Sequence, residues 1–134
     1  MIGSFGKRML GLTARYADLW NTGYLGQPET LSQPRQEMLV ACNEAGRDPA
    51  SLGVTAMLAL HYPDLASEAG DFDNPPLTGS ADVVARAMLG YEEAGVEHIM
   101  FHLVPYRQES IARLAEALRI YHQLSNEKGL SKAI

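Results

Sequence analysis

The residues best able to do chemistry stand at the start of the chain and at the ends of its apolar runs. Gly3, Ser4 and Gly6 lead straight into Lys7 and Arg8. A helical pattern follows at once, with Met9, Leu12, Thr13 and Tyr16 on one face. Glycines let backbone amides approach a ligand, and a helix N-terminus adds about half a positive charge. Two cations in the first turn oppose that dipole, and a bound anion such as phosphate would offset them. The same residues also fit a basic N-terminal tail before an ordinary helix, because a short Gly-rich turn is a weak signal by itself.

His61 and His102 form the second group. Each closes or nearly closes an apolar run, and side chains alternate along a strand. Thr55, Met57, Ala59 and His61 therefore share one face, as do Met100, His102 and Val104. The alternate sets, Leu58 with Leu60 and Ile99 with Phe101 and Leu103, are bulkier and suit a helix-covered side. Near neutral pH an imidazole can bind substrate or move a proton. It can equally satisfy a hydrogen bond at a strand end, a role that fits His98 better still.

Trp20 could line a pocket or fill the core. Tyr106 and Arg107 could reach an anion or simply be solvated, and Asp18 suits a hydrogen bond to nearby backbone. His61 and His102 have no local partner at metal-ligand spacing, so no metal site is expected. No Ser-His-Asp or Cys-His set can be argued from order alone.

Elements must position these groups. A short apolar start precedes the first helix, and Ala17 to Trp20 reads as a strand, with Asn21 to Pro28 as a loop. A helix beginning near Ser32 or Pro34 carries Met38, Leu39, Ala41 and Cys42, and stops at Gly46. The run Val54 to Leu60 suits a strand covered on both faces, as in a parallel sheet. Asp64 to Gly79 is a long loop, of the kind that is usually functional or disordered. Ser80 caps a helix whose buried face is Val84, Ala87, Met88 and Tyr91, and Gly95 ends it. Val96 to Val104 is the next strand, broken by Pro105. The last helix covers Gln108 to Leu124, and residues 125–134 read as a tail. Asn43-Glu-Ala-Gly46 before one strand echoes Glu92-Glu-Ala-Gly95 before the next. Strand and helix thus alternate four times, which predicts an α/β fold with parallel strands and right-handed crossovers. An open sheet and part of a (β/α)8 barrel both fit.

Bulk properties set limits. A chain of 134 residues suits one domain and can bury a real core. A net charge of −5 argues against general nucleic-acid binding. The single cysteine, Cys42, excludes an internal disulfide and reads as a buried structural thiol, which suits a cytoplasmic setting. No apolar run is long enough to span a membrane, and the start lacks a signal-peptide layout.

The stretch from Gly3 to Asn21 resembles a segment of luciferase-like, flavin- or F420-dependent oxidoreductases. There a strand ends in a Gly/Ser-rich turn, followed by a helix of the form (P/K)-(R/K)-M-L-x-L-x-A-x-x-A-D-x-W. Gly3, Ser4, Gly6, Arg8, Met9, Leu10, Leu12, Ala14, Ala17, Asp18, Trp20 and Asn21 match it. Lys7 stands where that family often has proline, and Gly11 replaces a better helix former. Gly46-Arg-Asp-Pro49, Gly79-Ser-Ala-Asp82 and Ala94-Gly-Val-Glu-His-Ile99 are also similar to the family, in order and spacing.

The resemblance implies a parallel (β/α)4 half of a TIM-type barrel over residues 1–124, corresponding to the C-terminal half of a family member. It implies hydride or monooxygenase-type oxygen chemistry on flavin mononucleotide (FMN) or coenzyme F420. Gly3, Ser4, Phe5, Gly6, Lys7 and Arg8 would then bind the cofactor's phosphate end, and Trp20 would stack on its ring or line the pocket. His61 and His102 would be the catalytic candidates, facing a small-molecule substrate. A full barrel takes about 250 residues, and open parallel edges invite pairing with another chain. The expected partner is a second copy, as a homodimer, or a chain carrying the other half. A non-catalytic dimerising module and a truncated fragment without activity of its own remain alternatives.

Overall fold

The computed structural model describes residues 1–3 and 5–129. Ser4 of the Gly-rich turn and the last five tail residues, 130–134, lie outside the described residues.

Strand β1 (Ile2–Gly3) leads to helix α1 (Lys7–Tyr16), then β2 (Leu19–Leu25), α2 (Ser32–Ala45), β3 (Gly53–His61), α3 (Ala81–Glu93), β4 (Val96–Val104) and α4 (Gln108–Glu127). Among the described residues the strands form one sheet in the order β1-β2-β3-β4, and every pairing is parallel. The α/β expectation therefore holds. No described helix is long and apolar enough to cross a membrane.

The helices cover one side of the sheet. Trp20 of β2, Val54, Ala56, Leu58 and Leu60 of β3, and Ile99 and Leu103 of β4 join Met38, Cys42, Val84, Met88, Tyr91 and Tyr121 in one core. Register places the other set of side chains together. Asn21 is level with Thr55 and His98, Tyr24 with Met57 and Met100, Ala59 with His102, and His61 with Val104. The alternation read from Val54–Leu60 and Ile99–Leu103 thus gives the right faces.

Three local expectations need correction. Asn21 to Leu25 is strand and not loop, and β2 starts at Leu19. Gly23 reads as loop punctuation, yet it sits where the β2–β3 register shifts between Thr22 and Tyr24. A bulge of this kind absorbs one residue without ending the strand. The face of α1 is also different: Leu10, Thr13 and Ala14 are buried, whereas Met9, Leu12 and Tyr16 are exposed. As the first helix of the row, α1 packs against α2 on one side only. Finally, α4 continues past Leu124 to Glu127, because buried Ser125 donates from Oγ to Glu92 Oε2 at 3.0 Å.

Turn chemistry closes these units. Gly46 ends α2 in the left-handed region (φ 68°), as expected of a glycine there. Ser80 caps α3 by accepting from the Val83 amide. Arg47, just after α2, donates to the carbonyls of Ala14 (3.2 Å), Ala17 (2.5 Å) and Ser51 (2.8 Å). It thereby satisfies acceptors left over at the C-terminus of α1.

Candidate functional site

The first candidate is the turn between β1 and α1. Gly6 precedes α1 with φ 77° and ψ 145°, a backbone state open essentially to glycine alone. Gly6, as the N-cap residue, offers the helix no side-chain cap, and no acidic residue lies in the first turn. A β-carbon built on Gly6 would meet nothing within 4 Å, so the approach is clear. Backbone amides of the first helical turn lack intrahelical acceptors, and these are the groups that bind anions. Gly3, Gly6 and Arg8 are exposed beside them. The residues present therefore fit a phosphate group. One contact competes: the Lys7 ammonium lies 3.5 Å from Glu44 of α2. Both partners are exposed, so the pair is weak and can yield to a stronger anion.

Phe5 is 61% exposed and leans back over the sheet. A β-carbon on Gly23 would come within 2.1 Å of its Cζ, so the glycine in the β2 bulge makes room for this ring. The bulge thus seats a residue of the turn after β1 against β2.

That face is the one away from the helices, and its upper end is built by three strands and one loop. His102 is exposed, and its ring meets Tyr24 edge-on at 5.5 Å and Phe72 at 5.7 Å. Tyr24 and Phe72 also touch, at 5.2 Å. Phe72 comes from the long segment after β3, which is pinned rather than free. Leu77 exchanges backbone hydrogen bonds with β3 through Ala59 and His61, at 2.8 and 2.9 Å. Asn74 Nδ2 donates to the Tyr24 carbonyl at 3.0 Å. Asp64 takes a two-pronged hydrogen bond from Arg113, whose guanidinium also lies over the Tyr62 ring. That bond holds the Asp64 carboxyl below its ordinary range.

His61 is placed differently from His102. It is buried, and its Nε2 donates to the Ala66 carbonyl at 2.8 Å. The ring is thus engaged by the loop that follows its own strand, the strand-end role left open by the sequence. Trp20 lies 1% exposed in the core on the helix side, near Met38, Cys42 and Val54. It does not share the face of His102. Cys42 is fully buried, and desolvation pushes its thiol pKa up, which keeps it protonated and unreactive.

The structure therefore brings Tyr24, Phe72 and His102 into mutual contact, with Phe5 against Gly23 in the neighbouring bulge and the Gly3–Arg8 turn at the β1 edge. Tyr24 and Phe72 escape a sequence reading because each contacts His102 only after the bulge and the loop have folded. A separate groove of about 250 Å³ between α1 and α2, lined by Lys7, Leu10, Glu37, Val40, Ala41 and Glu44, lies outside the sheet. Among the described residues no cluster of His, Cys, Asp and Glu could hold a metal ion.

No protein-family model and no curated protein matches the chain. Among solved structures, an F420-dependent secondary alcohol dehydrogenase in complex with an F420-acetone adduct matches with a TM-score of 0.63 and 16% identity. The match covers 89% of this chain and 47% of that protein, so this chain spans about half its length. At that identity the likeness speaks for the fold alone: a four-stranded parallel sheet with four helices, similar to about half of that protein.

Proposed function

We propose that this chain is one half of a luciferase-like oxidoreductase barrel that uses FMN or coenzyme F420. A second copy, or a chain carrying the other half, completes it. The observation that carries the reading is the pairing of an α1 N-terminus that starts at a glycine, Gly6, with an open sheet face ending in exposed His102. In parallel α/β barrels ligands sit at the C-terminal ends of the strands, where both features lie. The likeness to an F420-dependent dehydrogenase supports the same class of cofactor.

When bound, either cofactor would supply the hydride chemistry. Gly3, Gly6 and the first-turn amides, with Lys7 and Arg8, would neutralise its phosphate, and Phe5 would flank it. Ser4 belongs to the same candidate set by sequence. His102 would bind the substrate's polar group or exchange its proton. His61 would hold the loop that carries Phe72, a positioning role that its bond to Ala66 favours.

Titration of the purified chain with FMN and with F420, followed by absorbance and fluorescence, tests the cofactor. Saturable binding that Arg8→Glu abolishes supports it. Light scattering tests completion of the barrel, and a particle of two chains supports it. Two-chain particles that bind neither cofactor would instead favour a non-catalytic dimerising module. A lone monomer that binds neither would end both readings.

A further inference from the structure

The composition of the open sheet face constrains what can sit against it. From the Asn21–Thr55–His98 row upward, its positions are Tyr24, Met57, Met100, Ala59, His102, His61 and Val104. None is aspartate, glutamate, lysine or arginine, although charged residues make up 20% of the chain. The nearest described basic residue after β4, Arg107, stands at the start of α4, beyond the sheet. Two carboxylates, Asp71 and Asp73, flank Phe72 and are exposed. An anionic ligand here would meet no lysine or arginine, only imidazoles, and two like charges. A buried charge without a partner is strongly disfavoured.

Three rings line the upper end of this face. Tyr24, Phe72 and His102 come from β2, the loop and β4, and all pairs are in contact. Ala59, level with His102, is 1% exposed, so the rings and not the alanine present the surface. Tyr24 is 39% exposed, a large fraction for a ring already touching two others. The loop's bonds to Tyr24, Ala59 and His61 hold Phe72 in place before any ligand arrives. A pre-formed aromatic wall with one imidazole suits a flat apolar group that carries a single hydrogen-bonding atom.

We propose that Tyr24, Phe72 and His102 form a substrate subsite for an uncharged molecule with a planar apolar group, such as an aryl ketone or the matching alcohol. This rests on the reading above that the open face is a barrel interior. The rings bind the flat group by stacking and edge contacts, and His102 meets the oxygen. The carboxylates beside Phe72 and the lack of any lysine or arginine on the face select against carboxylate analogues.

The test is an NMR titration of the full chain with acetophenone, benzoate and riboflavin, read at the side-chain resonances of Tyr24, Phe72 and His102. Acetophenone is expected to shift all three saturably, with benzoate weaker by about tenfold or more. Phe72→Ala, and separately Tyr24→Leu, should weaken acetophenone by at least about threefold, the scale of one lost aromatic contact. Using both variants guards against a loop that loosens in one of them. Absent acetophenone shifts, equal binding in both variants, or equal binding of benzoate would overturn the subsite. Stronger shifts from riboflavin than from acetophenone would also overturn it, by giving the wall to a cofactor ring. Acetophenone binding without FMN or F420 binding would sink the redox reading and keep the wall; cofactor binding without acetophenone would do the reverse.

Discussion

His61 and His102 share one face of neighbouring strands, one rung apart: His102 is level with Ala59, and His61 with Val104. Their surroundings are nevertheless opposite. His61 is 7% exposed and bonded to the Ala66 carbonyl, while His102 is exposed between two aromatic edges. His61→Ala should therefore cost about 1–3 kcal/mol, since it removes a buried ring and its hydrogen bond to the half-buried Ala66 carbonyl. His102→Ala should cost under about 1.5 kcal/mol, the worth of its ring contacts. In the cofactor-loaded assembly, however, His102→Ala should lower kcat/KM by about tenfold or more. Thermal melts and steady-state rates on both variants check the split.

Gly6 is the next position to change. Alanine there meets no neighbour, so the whole effect comes from holding a β-carbon at φ 77°. The expected cost is about 1–3 kcal/mol, or a shift of the turn to relieve it. Either result should weaken FMN or F420 binding. Gly46→Ala is the control: its φ is also positive at 68° and its space is also open, but it lies at the far end of α2. It should lower the melting temperature and leave cofactor affinity unchanged.

Tyr91 ties α3 to the segment after β2, donating from its hydroxyl toward the carbonyls of Gly26 (3.1 Å) and Gln27 (3.0 Å). Burial pushes its pKa up to about 12 from an ordinary value near 10. The folded state thus holds this proton more tightly than the unfolded chain. Its stabilising contribution is complete below pH 10 and is lost as the pH rises toward 12, by about 2–3 kcal/mol. Tyr91→Phe should lower stability at neutral pH by about 1–2 kcal/mol. It should also flatten the alkaline fall, which denaturant melts between pH 8 and about 11 would measure.

Arg47 contributes through geometry more than through charge. Replacing it with methionine keeps the aliphatic stem and removes the donors to Ala14, Ala17 and Ser51. A loss of about 1.5–3 kcal/mol is expected, with faster hydrogen exchange at the C-terminal turn of α1. Arg47→Lys should rescue little, because one ammonium cannot span three carbonyls as a planar guanidinium does.

Trp20→Phe separates core from site. The indole is buried on the helix side, so the variant should lower stability by about 1–3 kcal/mol and leave cofactor affinity unchanged. A fall in affinity without a fall in melting temperature would place Trp20 at the ligand after all.

The sequence by itself determined the alternation of strands and helices, the parallel sheet, and which residues of β3 and β4 face the helices. These are local properties. Period-2 and period-3.6 patterns, the Gly46 stop and the Ser80 cap act within a few residues, and burial of an apolar face then leaves little choice. Tertiary structure decided the rest. Gly23 looks like a loop residue until β3 pairs alongside and turns it into a bulge. Met9, Leu12 and Tyr16 are apolar at helical spacing, yet α1 has a packed neighbour on one side only, so Leu10 and Ala14 are buried in their place. The meeting of Tyr24, Phe72 and His102 spans 78 residues of sequence and depends on a loop pinned by bonds to three separate points of the sheet. No periodicity encodes such a contact, because it exists only once the chain has closed around it.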